Sequence, residues 1–128
     1  SILMSTKNVE RVAIIGASDN PGRYSHRALL MLRQHGHEAI PVHPKLDTIE
    51  GLPVVPDIPS IQGAVDTVTM YVGPQISAGL ADKLVALKPR RVIFNPGSEN
   101  LELAARLREA GIACEEACTL VLLSTGAF

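Results

Sequence analysis

No apolar run in this chain approaches the about 18 residues that a membrane span requires, so no membrane-spanning helix is expected. An excess of charge of one sign is also missing. Lys and Arg total 12 against 13 Asp and Glu, a net charge of −1, and no basic stripe runs along the sequence as a phosphate backbone would require, so nucleic acid is not an expected partner. No N-terminal segment combines a basic start, an apolar stretch and a small-residue cleavage site, so export is not indicated and a cytoplasmic location is expected. Cysteine is scarce, with only Cys114 and Cys118. On one extended strand they would lie roughly 13 Å apart, too far for a disulfide, and they read as small packed thiols in a reducing compartment. Internal repeats and low-complexity tracts are absent. So are a Ser/His/Asp arrangement, paired carboxylates at strand ends and a nucleophile elbow, and no catalytic centre and no metal site are therefore expected. Cys118 is the one candidate nucleophile. Its sequence neighbours Glu115 and Glu116 are acidic, the opposite of what activates a thiol, which favours a packing role.

What is present is the composition of one folded domain: 128 residues, 46% hydrophobic and 20% charged. Ser1-Ile2-Leu3 precede Met4 as a cloning remnant or an upstream start would. Residues 1–8 are expected to be a flexible, loosely attached segment, and 9–128 the domain.

Five apolar, β-branched runs recur: Val12–Ile15, Ala39–Val42, Val68–Val72, Val92–Phe94 and Ile112–Cys114. Each is followed by turn residues and reads as a short buried strand. Between them, Leu80, Leu84 and Leu87, and later Leu103, Leu107 and Ala110, are spaced to share one face of a helix. Gly36 and Gly111 stand where C-terminal caps belong, and Glu99, Glu102, Arg106 and Arg108 match the sign of a helix dipole. Strands apolar on both faces and separated by helices must be parallel and covered on both sides. The expected fold is α/β, a Rossmann-like three-layer sandwich with a parallel sheet of about five strands and helices on both faces. The stretch Leu46–Ala64 contains Gly51, Pro53, Pro56, Pro59 and Gly63, too many breakers for a long helix, and reads as an irregular crossover. A short strand at Val54-Val55 and a helical turn near Pro59-Ser60-Ile61 are expected within it.

The most informative stretch is Val12 to Arg23, a buried strand entering a tight turn and then a helix. At such a junction the free N–H groups of the helix start and the missing side chains of Gly16 and Gly22 favour an approaching phosphate. The spacing is not the dinucleotide fingerprint G-x-G-x-x-G, because Ser18 replaces the second glycine and Gly22 falls six positions after Gly16. The bland reading, a tight turn with no ligand, competes with this one. Ser18 and Arg23 favour the anion site, since a hydroxyl and a guanidinium add charge-assisted hydrogen bonds to phosphate oxygens. Ser25 and His26 share the first helical turn; a lone helix histidine more often packs than binds.

At the end of the second strand, where an NAD site places a carboxylate for the ribose, this chain has Val42-His43-Pro44-Lys45. A lysine there suits a phosphorylated ribose, as in coenzyme A or NADP, although an isolated loop lysine is usually just solvated. Tyr71-Val72-Gly73-Pro74 and Asn95-Pro96-Gly97 follow the third and fourth strands and are expected to border the same crevice, unless they are loop devices alone.

These residues together resemble the coenzyme A-binding Rossmann domain family, small stand-alone relatives of the nucleotide domain of the succinyl-CoA synthetase α subunit. The resemblance runs from about Arg11 to Cys118 and rests on Val12–His26, Pro41–Lys45 and Glu116–Thr119. It implies that Gly16, Ala17, Ser18, Gly22 and Arg23 surround a pyrophosphate, that Lys45 meets the phosphorylated ribose, and that Val72, Gly73 and Pro74 flank the adenine. His43 stands where relatives more often have asparagine, and Asn95-Pro96-Gly97 where many have leucine and glutamine. Ser25, His26, His43, Asn95 and Gly97 complete the candidate site. The expected function is binding of coenzyme A or acyl-CoA, a small-molecule nucleotide, without an evident reaction. Two other readings remain open: an NADP-binding enzyme subunit, and a structural protein with a vestigial nucleotide site. In the latter, Val121-Leu122-Leu123 would serve a homodimer or protein partner unless it folds back on the sheet.

Overall fold

The structure, a computed structural model, describes residues 8–128; the segment expected to be loosely attached falls outside the described residues up to position 7. In chain order the elements are β1 (Arg11–Ile15), α1 (Tyr24–Gln34), β2 (Glu38–Val42), β3 (Thr48–Ile49), β4 (Leu52–Pro53), β5 (Thr67–Met70), α2 (Pro74–Ser77), α3 (Ala81–Leu87), β6 (Arg91–Phe94), α4 (Leu101–Glu109), β7 (Ala113–Glu116) and α5 (Thr119–Ser124), with 3-10 turns at Ile58–Ser60 and Ala78–Leu80. Five strands form one parallel sheet in the order β2-β1-β5-β6-β7. The chain runs outward from β1 to β2 and then returns to add β5 on the other side. The loops leaving β1 and β5 therefore diverge and open a crevice at the carboxyl edge.

Alternation along β1 explains the three layers. Val12 and Ile14 pack with Leu29 and Leu32 of α1 and Leu123 of α5, whereas Ala13 and Ile15 face a second cluster with Leu84 of α3 and Leu103 and Leu107 of α4. Both faces of the strand are thus dry, as parallel strands require. Each fully buried leucine contributes roughly 2 kcal/mol by its removal from water. Two glycine caps stop the helices in register with the strands. After α1, Gly36 N–H bonds the Arg33 carbonyl at 3.0 Å and His37 N–H the Leu32 carbonyl at 2.9 Å; after α4, Gly111 and Ile112 repeat the pattern on Arg108 and Leu107. Asn100 caps the start of α4, its side chain accepting from Leu103 N–H at 3.1 Å.

Several expectations need correction. The third strand ends at Met70, so Val72 belongs to the loop beyond it, and Leu80 lies in the 3-10 turn ahead of α3. Ile112 closes the α4 cap, and the last strand starts at Ala113. The crossover holds an antiparallel β3–β4 hairpin, closed by Glu50 and Gly51 at φ +50° and +77°, instead of a strand at Val54-Val55. A two-residue hairpin turn with both φ positive normally uses Asn-Gly, which is why Glu-Gly was not read as one. Val55 instead makes a single parallel bridge to Val42. The C-terminal segment folds back as α5, burying Leu123 against α1 while Val121 stays 55% exposed. Cys118 lies before α5 and not on the strand, and both cysteines are free and half-buried. Among the described residues no helix is long and apolar enough to cross a membrane.

A buried polar knot ties the carboxyl ends of the central strands to α5. The Asn95 amide donates to Thr69 Oγ1 at 2.7 Å and to the Met70 carbonyl at 2.9 Å, and its oxygen accepts from Thr119 N–H at 2.9 Å. Replacing Asn95 by Ala takes the acceptor from buried Thr119 N–H and removes both donations of the amide, although Thr69 Oγ1 keeps the Thr119 hydroxyl and the Met70 carbonyl keeps the backbone N–H of position 95. Urea unfolding of Asn95→Ala is expected to show a loss of about 2–4 kcal/mol with an unchanged slope; a loss under about 1 kcal/mol would show that water replaces the amide.

Candidate functional site

The site begins with a steric requirement at the end of β1. Gly16 has φ +88°, and a Cβ there would lie 2.9 Å from Val72 Cγ1 and 3.1 Å from the Tyr71 carbonyl carbon. Glycine alone lets the chain leave β1 so close to the end of β5. The next N–H, from Ala17, bonds the Val42 carbonyl at 3.2 Å and joins the turn to the end of β2.

The turn is then built by its own short polar side chains. Ser18 Oγ accepts from Asn20 N–H at 3.0 Å, Asn20 Oδ1 accepts from Gly22 N–H at 2.9 Å, and Arg23 N–H bonds the Asn20 carbonyl at 3.0 Å. The Ser18 hydroxyl proton remains available to a ligand. Arg23 occupies the N-cap of α1 without a side-chain cap, and among the described residues nothing accepts from the N–H groups of Ser18, Asp19, Tyr24 or Ser25. These donors, with the positive end of an 11-residue helix, suit an anion.

A cleft of about 680 Å³ opens over this turn. Its floor is Gly16, Ala17, Ser18, Gly22, Arg23 and Ser25; His43 and Leu46 wall one side, and Tyr71, Val72, Gly73, Ile76 and Pro96 the other. Of the expected site residues, five do not line it. Lys45 is exposed on the loop between His43 and Leu46. Pro74 starts α2, and Gly97, at φ +91°, gives its N–H to Glu99 in the loop ahead of α4. Asn95 is 2% exposed, with its amide wholly engaged in the knot under the cleft. His26 is equally buried, and both its ring nitrogens are occupied by protein groups.

Residues that sequence reasoning missed are Asp19, Tyr24, Leu46 and Ile76. Asp19 puts a negative charge on the rim, against which Arg23 is the compensating charge. Tyr24 and Ile76 are 66% and 62% exposed apolar groups at the mouth. Their exposure comes from where α1 and α2 begin, which no periodicity reports. His43 Nδ1 accepts from the backbone N–H groups of Lys45 at 3.0 Å and Leu46 at 3.2 Å. An asparagine side chain makes the same kind of turn. The Tyr71 hydroxyl is buried without a well-placed hydrogen-bond partner among the described residues, beside Thr69 and Thr119 hydroxyls already bonded to each other at 2.8 Å. Burial, only partly offset by those two hydroxyls, pushes its pKa up to about 12. Burial likewise raises the Cys114 thiol, with Arg108 opposing it in part, so Cys114 stays protonated and packed.

A parallel sheet covered on both faces, with a cleft where strand order reverses, defines the Rossmann-like class of α/β domains. Within that class the chain belongs to the CoA binding domain family, whose model matches residues 10–124. An uncharacterised protein of known crystal structure superimposes with a TM-score of 0.89 at 43% identity, covering 95% of this chain and all of that one. The uncharacterised protein YneT of Bacillus subtilis is 29% identical over 102 residues, 80% of this chain and 76% of its own length. The fold also recurs within an acetyl-coenzyme A synthetase of Ca. Korarchaeum cryptofilum, with a TM-score of 0.73 and 23% identity over 84% of this chain and 25% of that one.

Two substitutions test this geometry. Gly16→Ala is expected to cost about 2–4 kcal/mol in chemical unfolding, combining left-handed strain with overpacking. Tyr71→Phe removes a buried hydroxyl that has no well-placed partner among the described residues and is expected to leave stability unchanged or raise it by up to about 1 kcal/mol at neutral pH. Because the folded phenol titrates above the free one, the wild type becomes less stable as pH rises from about 10 to 12, and Tyr71→Phe lacks this part of the alkaline loss. Parallel alkaline unfolding curves for the two would contradict the assignment.

Proposed function

We propose that this protein binds coenzyme A or an acyl-CoA, with the pyrophosphate on the Gly16–Arg23 turn, and that it does so as a binding module in the cytoplasm without catalysing a reaction of its own. The observation that carries this reading is the junction of β1 and α1, where four N–H groups without acceptors among the described residues converge with Arg23 at the reversal of strand order. Membership of the CoA binding domain family supports the choice of nucleotide. Ser18, its oxygen already accepting from Asn20, donates to a phosphate oxygen, and Arg23 offsets the charge of Asp19. The loop from His43 to Leu46 receives the ribose end. From its exposed position Lys45 meets the 3′-phosphate as a solvated charge. Tyr24, Val72 and Ile76 supply apolar surface for the adenine or the pantetheine arm.

Isothermal titration calorimetry with coenzyme A is expected to give saturable binding that weakens roughly tenfold in Arg23→Ala, the loss of one charge-assisted hydrogen bond. Dephospho-coenzyme A is expected to bind more weakly by no more than about fivefold, the limit for an exposed pair, and Lys45→Ala to abolish that difference. Equal affinity for the two ligands in the wild type would remove the role given to Lys45. Tighter binding of NADP than of coenzyme A would favour the dehydrogenase-subunit reading instead.

A further inference from the structure

His26 carries a role that its position behind the turn does not advertise. The ring is 2% exposed. Its Nδ1 meets the Ser18 carbonyl oxygen at 2.8 Å, and its Nε2 meets Glu50 Oε2 at 2.8 Å. A carbonyl oxygen and an ionised carboxylate only accept. Both contacts are hydrogen bonds only when each ring nitrogen bears a proton, an assignment that follows from the partners. One end of this bridge is a residue of the phosphate turn. The other is the first central residue of the β3–β4 hairpin turn, held in a left-handed conformation at φ +50° that glutamate rarely adopts. Arg33 of α1 reinforces the far end by donating Nη1 to the Glu50 carbonyl at 3.2 Å. The hairpin follows directly on the loop that holds His43 and Leu46, so the bridge ties Ser18 in the floor of the cleft to the segment that continues from one of its walls.

We propose that His26 is a positioning residue of the nucleotide site: doubly protonated, it holds the Ser18 carbonyl and the Glu50 carboxylate at once and couples the phosphate turn to the hairpin. It does not touch the ligand. Its charge lies behind Ser18, where it adds to the field that receives an anion. The other charged groups on the elements meeting here are Asp19 and Arg23 in the turn, Arg27 and Arg33 on α1, and Lys45 and Asp47 ahead of the hairpin. When the ring keeps a single proton, one of the two acceptors faces a bare nitrogen and the bridge opens at that end. A glutamine at position 50 removes this requirement, because its amide can donate to a bare Nε2 while Nδ1 still serves Ser18.

The effects on affinity rest on the nucleotide reading of the cleft; the protonation does not. Nuclear magnetic resonance of the 15N-labelled imidazole, without ligand and at neutral pH, is expected to show a proton on both His26 nitrogens in the wild type and only on Nδ1 in Glu50→Gln. A wild-type ring with one bare nitrogen overturns the proposal. Calorimetry with coenzyme A is expected to show a roughly tenfold loss in Glu50→Ala, a substitution at the protein surface, and no further loss when His26→Ala is added. Additive losses overturn the coupling. Failure of the wild type to bind coenzyme A overturns the site reading and the positioning role with it, while the resonance measurement still decides whether the clamp exists.

Discussion

Everything at the carboxyl edge depends on one close approach. Gly16 leaves β1 with a left-handed backbone against Val72 and the Tyr71 carbonyl, so the turn after β1 and the loop after β5 begin within van der Waals contact of each other. A side chain at position 16 would push these loops apart and with them the floor and one wall of the cleft. Among the described residues, the strand order makes this spot the only place in the sheet where two neighbouring strands send their chains in opposite directions. Sterics at a single residue thus place the turn with its free N–H groups at the point where the topology opens a crevice.

Polar ties around that point are arranged in two tiers. Beneath the cleft, Asn95, Thr69 and Thr119 form a buried knot that joins the ends of β5 and β6 to the start of α5. Behind the turn, His26 links Ser18 to Glu50. At the opposite edge of the sheet the buried Glu10 accepts from Thr67 Oγ1 at 2.6 Å and faces Arg91, which in turn lies 4.5 Å from the Phe128 ring centre. The two edges therefore use polar groups differently. The far edge and the knot satisfy theirs internally, whereas among the described residues nothing accepts from four N–H groups of the turn or from the Ser18 hydroxyl.

Much of the fold was legible because hydrophobic periodicity and glycine caps are local. Val12–Ile15, the spacing of Leu103 and Leu107, and Gly36 and Gly111 each announce an element without knowledge of the rest. The hairpin at Thr48–Pro53 was hidden because its turn uses Glu50, whose strained conformation is held by Arg33 and His26 from a different element. The back-folding of Val121–Leu123 was equally hidden, since an apolar tail looks the same whether it covers its own sheet or another molecule. In the site, Gly16, Ser18, Gly22 and Arg23 were readable from the junction of strand and helix, and His43 from its place at a strand end. Asn95, His26 and Lys45 were drawn in by that same proximity along the chain, which says which loop a residue occupies but not which way its side chain turns.

By itself, then, the amino-acid order determined a parallel α/β domain with a glycine-bounded turn between its first strand and first helix, because strand, turn and helix propensities act over a few residues and all agree here. Only the tertiary structure decided which side chains reach the cleft and which are consumed beneath it. Asn95 and His26 are polar, close to the site in sequence and indistinguishable there from ligand contacts. They turn inward because β5, α5 and the β3–β4 hairpin, distant in sequence, bring Thr69, Thr119 and Glu50 to them, and a polar group denied water takes the partners that packing supplies.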